Sequence, residues 1–182
     1  TAANGNVVLD QASDIDGALS ITTHGTGTSS VTNLTDSIEL GTITSAQLTV
    51  GAAGDITNSG VLDIGGNAGC TTTAANAGVS LDQASDIDGT LSITTNGSGA
   101  TSVTNLTGSI DLGTITTAGL TIDARGITQT GVLTVSGTSS FSSGANAITL
   151  DQANDFSGAV SLSNSGANHV VIDDANDLVL GT

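Results

Sequence analysis

LDQASDIDG occupies residues 9–17, recurs letter for letter at 81–89, and returns as LDQANDFSG at 150–158. The copies belong to a longer repeat. TAANGNVVLDQASDIDG at 1–17 matches TAANAGVSLDQASDIDG at 73–89, and VTNLTDSIELGTIT at 31–44 matches VTNLTGSIDLGTIT at 103–116, the second pair at the same offset as the first. Internal periods of this order mark solenoids, propellers or repeat arrays, because one repeat cannot bury its apolar face alone.

A shorter period lies within the long one. An apolar residue in the DIDG-like position recurs at Ile15, Ile38, Leu62, Ile87, Ile110, Leu133, Phe156 and Leu178, in steps of 22 to 25. On this reading the long repeat is three short units and the chain holds about eight. Inside each unit apolar and polar residues alternate, as in Leu19-Ser20-Ile21, Ile38-Glu39-Leu40 and Leu133-Thr134-Val135. Alternation with β-branched residues predicts strands with one face in and one out. Gly, Asn, Asp and Ser clusters such as HGTGTSS and NGSGATS predict the corners.

The expected fold is therefore all-β: a parallel β-helix (β-solenoid) of about eight coils of ~23 residues, with three short strands per coil. The whole of 1–182 reads as one solenoid segment, an excerpt of a longer repetitive rod. The absence of Pro fits, since every strand is central and needs its N–H. An antiparallel sandwich or barrel is the competing fold, but it requires no such repeat.

Composition narrows the function. The net charge is −16, with 16 Asp, one Glu (Glu39) and a single basic residue, Arg125. Such a chain repels nucleic acid and anionic lipid, so neither is an expected partner. No run reaches the roughly 18 apolar residues of a membrane span, so direct membrane insertion is not expected. Cys70 is alone, which excludes an internal disulfide. The start at Thr1 reads as a mature or excised segment.

At GDITNSGVLDIGGNAG (54–69) and RGITQTGVLTVSG (125–137) the chain resembles repeat units of filamentous haemagglutinin-like proteins and autotransporter passenger domains. The resemblance implies a right-handed β-helix, an extracellular or cell-surface bacterial location, and a structural or adhesive role. No catalytic residue is carried over, because the resembling motifs contain none.

Following the anchors come Asp16, Glu39, Asp63, Asp88 and Asp111, then Thr134, Ser157 and Val179. If successive anchors stack, five carboxylates form an outward acidic ladder. Such a ladder would either bind a hard cation such as Ca²⁺ or stand solvated. Asp14, Asp86, Asp155 and Asp177 are expected at corners, accepting backbone N–H groups, as are turn residues Asn33 and Asn105. Asn33-Leu-Thr35, Asn96-Gly-Ser98 and Asn105-Leu-Thr107 match the glycosylation sequon. His24 and His169 share no coil position. Paired Thr residues such as Thr71-Thr72-Thr73, Thr94-Thr95 and Thr114-Ile-Thr116 hint at an ice-binding face, although by the short period they fall at no single coil position.

Catalysis is not expected, since aromatic sugar platforms and basic groups are nearly missing. The reading is a structural extracellular repeat protein forming a fibre, sheath or adhesin stalk. Its partners would be itself or neighbouring repeats. The alternative is a cation-dependent binding module using the acidic face, with an ice-binding solenoid behind it.

Overall fold

The computed structural model describes residues 3–10 and 13–182. These carry twenty strands: β1 (Val7–Leu9), β2 (Leu19–Thr22), β3 (Ser29–Asn33), β4 (Ile38–Ser45), β5 (Leu48–Ala52), β6 (Ile56–Asn58), β7 (Leu62–Ile64), β8 (Ala68–Thr72), β9 (Val79–Leu81) and β10 (Asp86–Ile87), followed by β11 (Thr90–Thr94), β12 (Thr101–Asn105), β13 (Ile110–Thr117), β14 (Leu120–Ala124), β15 (Ile127–Gln129), β16 (Leu133–Val135), β17 (Ser139–Ser142), β18 (Ile148–Phe156), β19 (Val160–Ser163) and β20 (Val170–Asp174). Every pairing between them is parallel. The described residues form no helix, and so none that could cross a membrane.

The strands stack in two sheets. One runs β1, β3, β5, β8, β11, β13, β15/β16, β18, β20; the other runs β2, β4, β6/β7, β9/β10, β12, β14, β17, β19. A coil contributes one arm to each of these two sheets, so the expected three short strands per coil are corrected to two arms, a third strand arising only where an arm bends within its own sheet. Long arms bend into two short strands: β4 pairs through Ile38–Leu40 with β6 and through Ile43–Ser45 with β7. The bend is built by glycine. A Cβ on Gly60 would strike the backbone at Gly41, and one on Gly131 would strike Gly113. The fold is the expected β-solenoid of about eight coils, which at ~4.8 Å per coil makes a rod of about 40 Å.

The register corrects the expected period. Coils are unequal: a short one brings Ile127 beside Ile110, and a long one brings Leu91 beside Ala68. The anchors are consequently not one column. Leu62 pairs with Ile43, Ile87 with Ile64, Leu133 with Ile115, and Phe156 with Val135. Ile38 lies beside Ile56 in one sheet, while Ile110 lies beside Ile127 in the other. The long repeat is three and a half coils, not three. Its copies therefore change sheet: β3 and β12 have nearly the same sequence and lie in opposite sheets, as do β4 and β13.

Interior columns are nonetheless continuous. Leu9, Val31, Val50, Cys70, Ile93, Ile115 and Leu133 run through seven coils of one sheet. Leu81, Val103, Ile122, Phe141 and Leu162 run down the other. Most of these side chains are fully buried, and each aliphatic one removed from water contributes roughly 1.5–3 kcal/mol. The two Phe residues meet edge to face, with ring centroids 6.0 Å apart. They stand at the repeat positions of Cys70 and Ile87.

Corners carry the polar interior. Thr23 and Thr95 donate their hydroxyls to the carbonyls of Gly27 and Gly99, each at 2.8 Å, closing equivalent turns. Asn4 and Asn76 take positive φ, 64° and 68°, and accept the N–H of Thr26 and Ser98 in the next coil at 2.9 and 3.0 Å. Each is a staple between coils that also holds a left-handed turn. Asn76→Gly should keep the turn and lose the staple, costing about 1 kcal/mol. Asn76→Ala should lose both and cost about 2 kcal/mol or more. Chemical denaturation of the two variants checks the order; an Asn76→Gly variant as stable as the parent would mean the side chain staples nothing, and equal costs would mean the left-handed turn adds nothing.

Candidate functional site

Asp16, Glu39, Asp63 and Asp88 are exposed and Asp111 is half-buried, so all five point outward as expected. They do not stack. Glu39 pairs with Thr57, Asp63 with Thr44 and Asp86, and Asp111 with Thr90 and Thr128. Asp88 donates its N–H to the carbonyl of Ile64 and so sits past Asp63 rather than on it. Asp16 and Glu39 share a hollow with Asp36. The coils close before the chain reaches the next carboxylate of the series, so the ladder expected to serve Ca²⁺ does not form. Among the described residues, no three His, Cys, Asp or Glu side chains gather as a metal site.

Asp111 instead organises hydroxyls. It accepts from Thr90 and Thr130 at 2.9 Å and from Thr128 at 3.4 Å. Asp82 does the same for Ser80 and Ser102, at 2.6 and 2.5 Å. These carboxylates tie adjacent coils together across the surface.

Of the other expected sites, Asn105 accepts a backbone N–H as expected and the corner carboxylates fall out differently. Asp86 and Asp155 lie within strands, and Asp14 receives a distant Thr35 hydroxyl at 3.5 Å. Corner N–H groups are instead taken by Asp55, from Gly78 at 2.7 Å, and by Asp36, from Ser37 at 2.8 Å. Asn33 and Asn105 are fully buried. Asn105 accepts the Ile87 N–H at 3.0 Å, while the Asn33 amide donates to the Ser37 carbonyl at 2.8 Å. Their sequons are therefore closed to modification in the folded chain, and only Asn96 of the three is exposed. His24 lies between β2 and β3 and His169 just before β20, at opposite ends of the stack. Cys70 is buried, and desolvation pushes its thiol up to about 12, so it packs as a small apolar side chain.

The structure also aligns residues that spacing concealed. Thr57, Ser80, Ser102, Thr121, Ser140 and Ser161 form one outward column through six coils. A shallow groove of about 480 Å³ runs beside it, with Asp55 and Asn76 in its lining. On the other sheet Thr71, Thr94, Thr116 and Thr134 stand in register and exposed. The expectation that the Thr residues share no coil position is thus corrected. Members of these columns are unevenly spaced along the chain, closer from Thr116 to Thr134 than from Thr57 to Ser80, so only the register reveals them. Chemically they are neutral donor–acceptor strips. The groove lining holds no His or Cys.

The model of a family described as Repeats of unknown function (DUF5649) matches residues 26–94 and 98–163. The two matches begin at the same offset from each other as the sequence copies that start at Thr1 and Thr73. No curated protein and no solved structure matches the chain.

Surface carboxylates should differ in consequence. Asp63 faces Asp86 on the adjacent coil, so Asp63→Asn removes a like-charge pair and should leave stability unchanged or slightly raised. Asp111→Ala strips acceptors from three Thr hydroxyls and should cost about 1 kcal/mol. Thermal denaturation at fixed ionic strength checks the contrast, and an equal response of the two variants would contradict it.

Proposed function

Since this chain belongs to the DUF5649 repeat family, we propose that it works as a structural repeat: a segment of an extracellular fibre, sheath or adhesin stalk. The observation that carries this reading is the unbroken pair of parallel ladders, with an interior filled from end to end. Such a body has length and stiffness as its main properties, and its length grows by a fixed rise for each added coil. The outward surface supports it too. Hydroxyls and carboxylates on the strands favour solubility in a crowded array, and a buried, inert Cys70 tolerates an oxidising environment.

Immunogold labelling of intact source cells, with antibody raised against residues 1–182, tests the placement. Label on fibres or the outer surface without permeabilisation is expected. Label that appears only after permeabilisation contradicts the extracellular role.

A second reading has one observation behind it, the in-register Thr71, Thr94, Thr116 and Thr134. A flat Thr strip can order water. Here it is one residue wide except on β13, where Thr114 stands beside Thr116, and it is bounded by Gly51 and Asp155, which is why the structural role is preferred. Thermal hysteresis in solution separates the two: none is expected from a rod whose Thr strip is merely solvated, and a clear freezing gap would favour ice binding.

A further inference from the structure

The layer formed by β20 and Leu180 pairs on one side only, with β18 and Val160, among the described residues. Val170, Val171, Val179 and Leu180 are 39 to 66% exposed there. What fits this edge can be read from the chain itself. By repeat position β20 (VVIDD) corresponds to β3 (SSVTN) and β12 (TSVTN), and DLVLGT at 177–182 corresponds to SIELGT at 37–42 and SIDLGT at 109–114. Both internal counterparts are covered in the same register. Ser29, Val31 and Asn33 lie beside Leu48, Val50 and Ala52; Thr101, Val103 and Asn105 lie beside Leu120, Ile122 and Ala124.

We propose that β20 is a docking edge for an in-phase strand of the Leu-Thr-Val-Gly-Ala type, supplied by a further repeat of this family. Val170 would lie beside its Leu, Ile172 beside its Val and Asp174 beside its Ala. The covering strand is specified further by charge. A β14-like strand would set its Asp123 counterpart against Asp173, whereas a β5-like strand sets a glycine there. The edge therefore selects the β5 type.

A second copy of this chain offering its β1 is the wrong partner. The counterparts of β1 are β9 and β18, and they lie beside β6 and β15, strands that read Ile-Thr-Asn and Ile-Thr-Gln. The free edge of β1 is thus matched to that type and not to VVIDD.

The backbone gives a direct readout. Ser29 and Thr101 donate their N–H to Gln47 and Gly119 of the covering coil at 2.9 and 2.8 Å. Val170 holds the same place. The test extends the full chain after Thr182, either with a copy of residues 43–114, which is in phase, or with a copy of residues 1–72, which is out of phase. Hydrogen exchange at Val170 should slow on the order of a hundredfold in the first and remain unchanged in the second. A second in-phase extension, residues 115–182 carrying Asp123→Gly, should protect Val170 as well. Equal protection by the out-of-phase extension, or no protection by either in-phase one, overturns the proposal. The inference rests on the repeat fold and not on where the rod is deployed. Its failure would leave the surface labelling result untouched, and the converse holds.

Discussion

Everything in this molecule depends on the parallel hydrogen-bond ladder between successive coils. In such a ladder each strand must meet its neighbour at a fixed height and register, whatever the chain does between strands. The corners absorb the difference. They let a short coil close with Ile127 beside Ile110, and a longer one with Leu91 beside Ala68, while interior columns stay continuous. Left-handed Asn and Gly residues, buried Thr hydroxyls and buried Asn amides carry out that adjustment by satisfying the turn backbone from within.

A repeat of three and a half coils has a consequence that a whole-number repeat would not. Equivalent arms never stack on one another. They stand on opposite sheets, about 17 Å apart along the axis at ~4.8 Å per coil. The rod approximates a two-fold screw, and every surface feature of the repeat is shown first on one side and then on the other. Leu34 and Leu106 illustrate this, as exposed corner residues that follow β3 in one sheet and β12 in the other. What the copies must share is therefore compatibility among different arms, each fitted to the arms two places before and after it.

The class of fold was legible because alternation, turn residues and self-similarity all pointed to stacked strands. Coil number and the outward direction of Asp16, Glu39, Asp63, Asp88 and Asp111 followed from the same pattern. The stacking itself was not legible. Sequence similarity reports which arm is which, and that is a different question from which arm lies beside which. Because both arms of a coil alternate in the same way, Ile38 and Leu62 look like partners, while the ladder joins Ile38 to Ile56. The acidic ladder failed with that error, and the Thr and Ser columns stayed hidden by it. Asn33 and Asn105 are legible as corner residues, and Asn105 accepts a backbone N–H accordingly, but only the folded interior shows that their amides point inward.

Register is also the most direct point of test. Paired cysteines on adjacent strands about 5 Å apart can be oxidised to a disulfide, and Cys70 is buried away from the reaction. Under mild oxidation Glu39→Cys with Thr57→Cys should cross-link readily, and Glu39→Cys with Asp63→Cys should not. Cross-linking of the second pair in preference to the first would mean that coils stack at the spacing of the sequence anchors, and the half-coil repeat would be wrong.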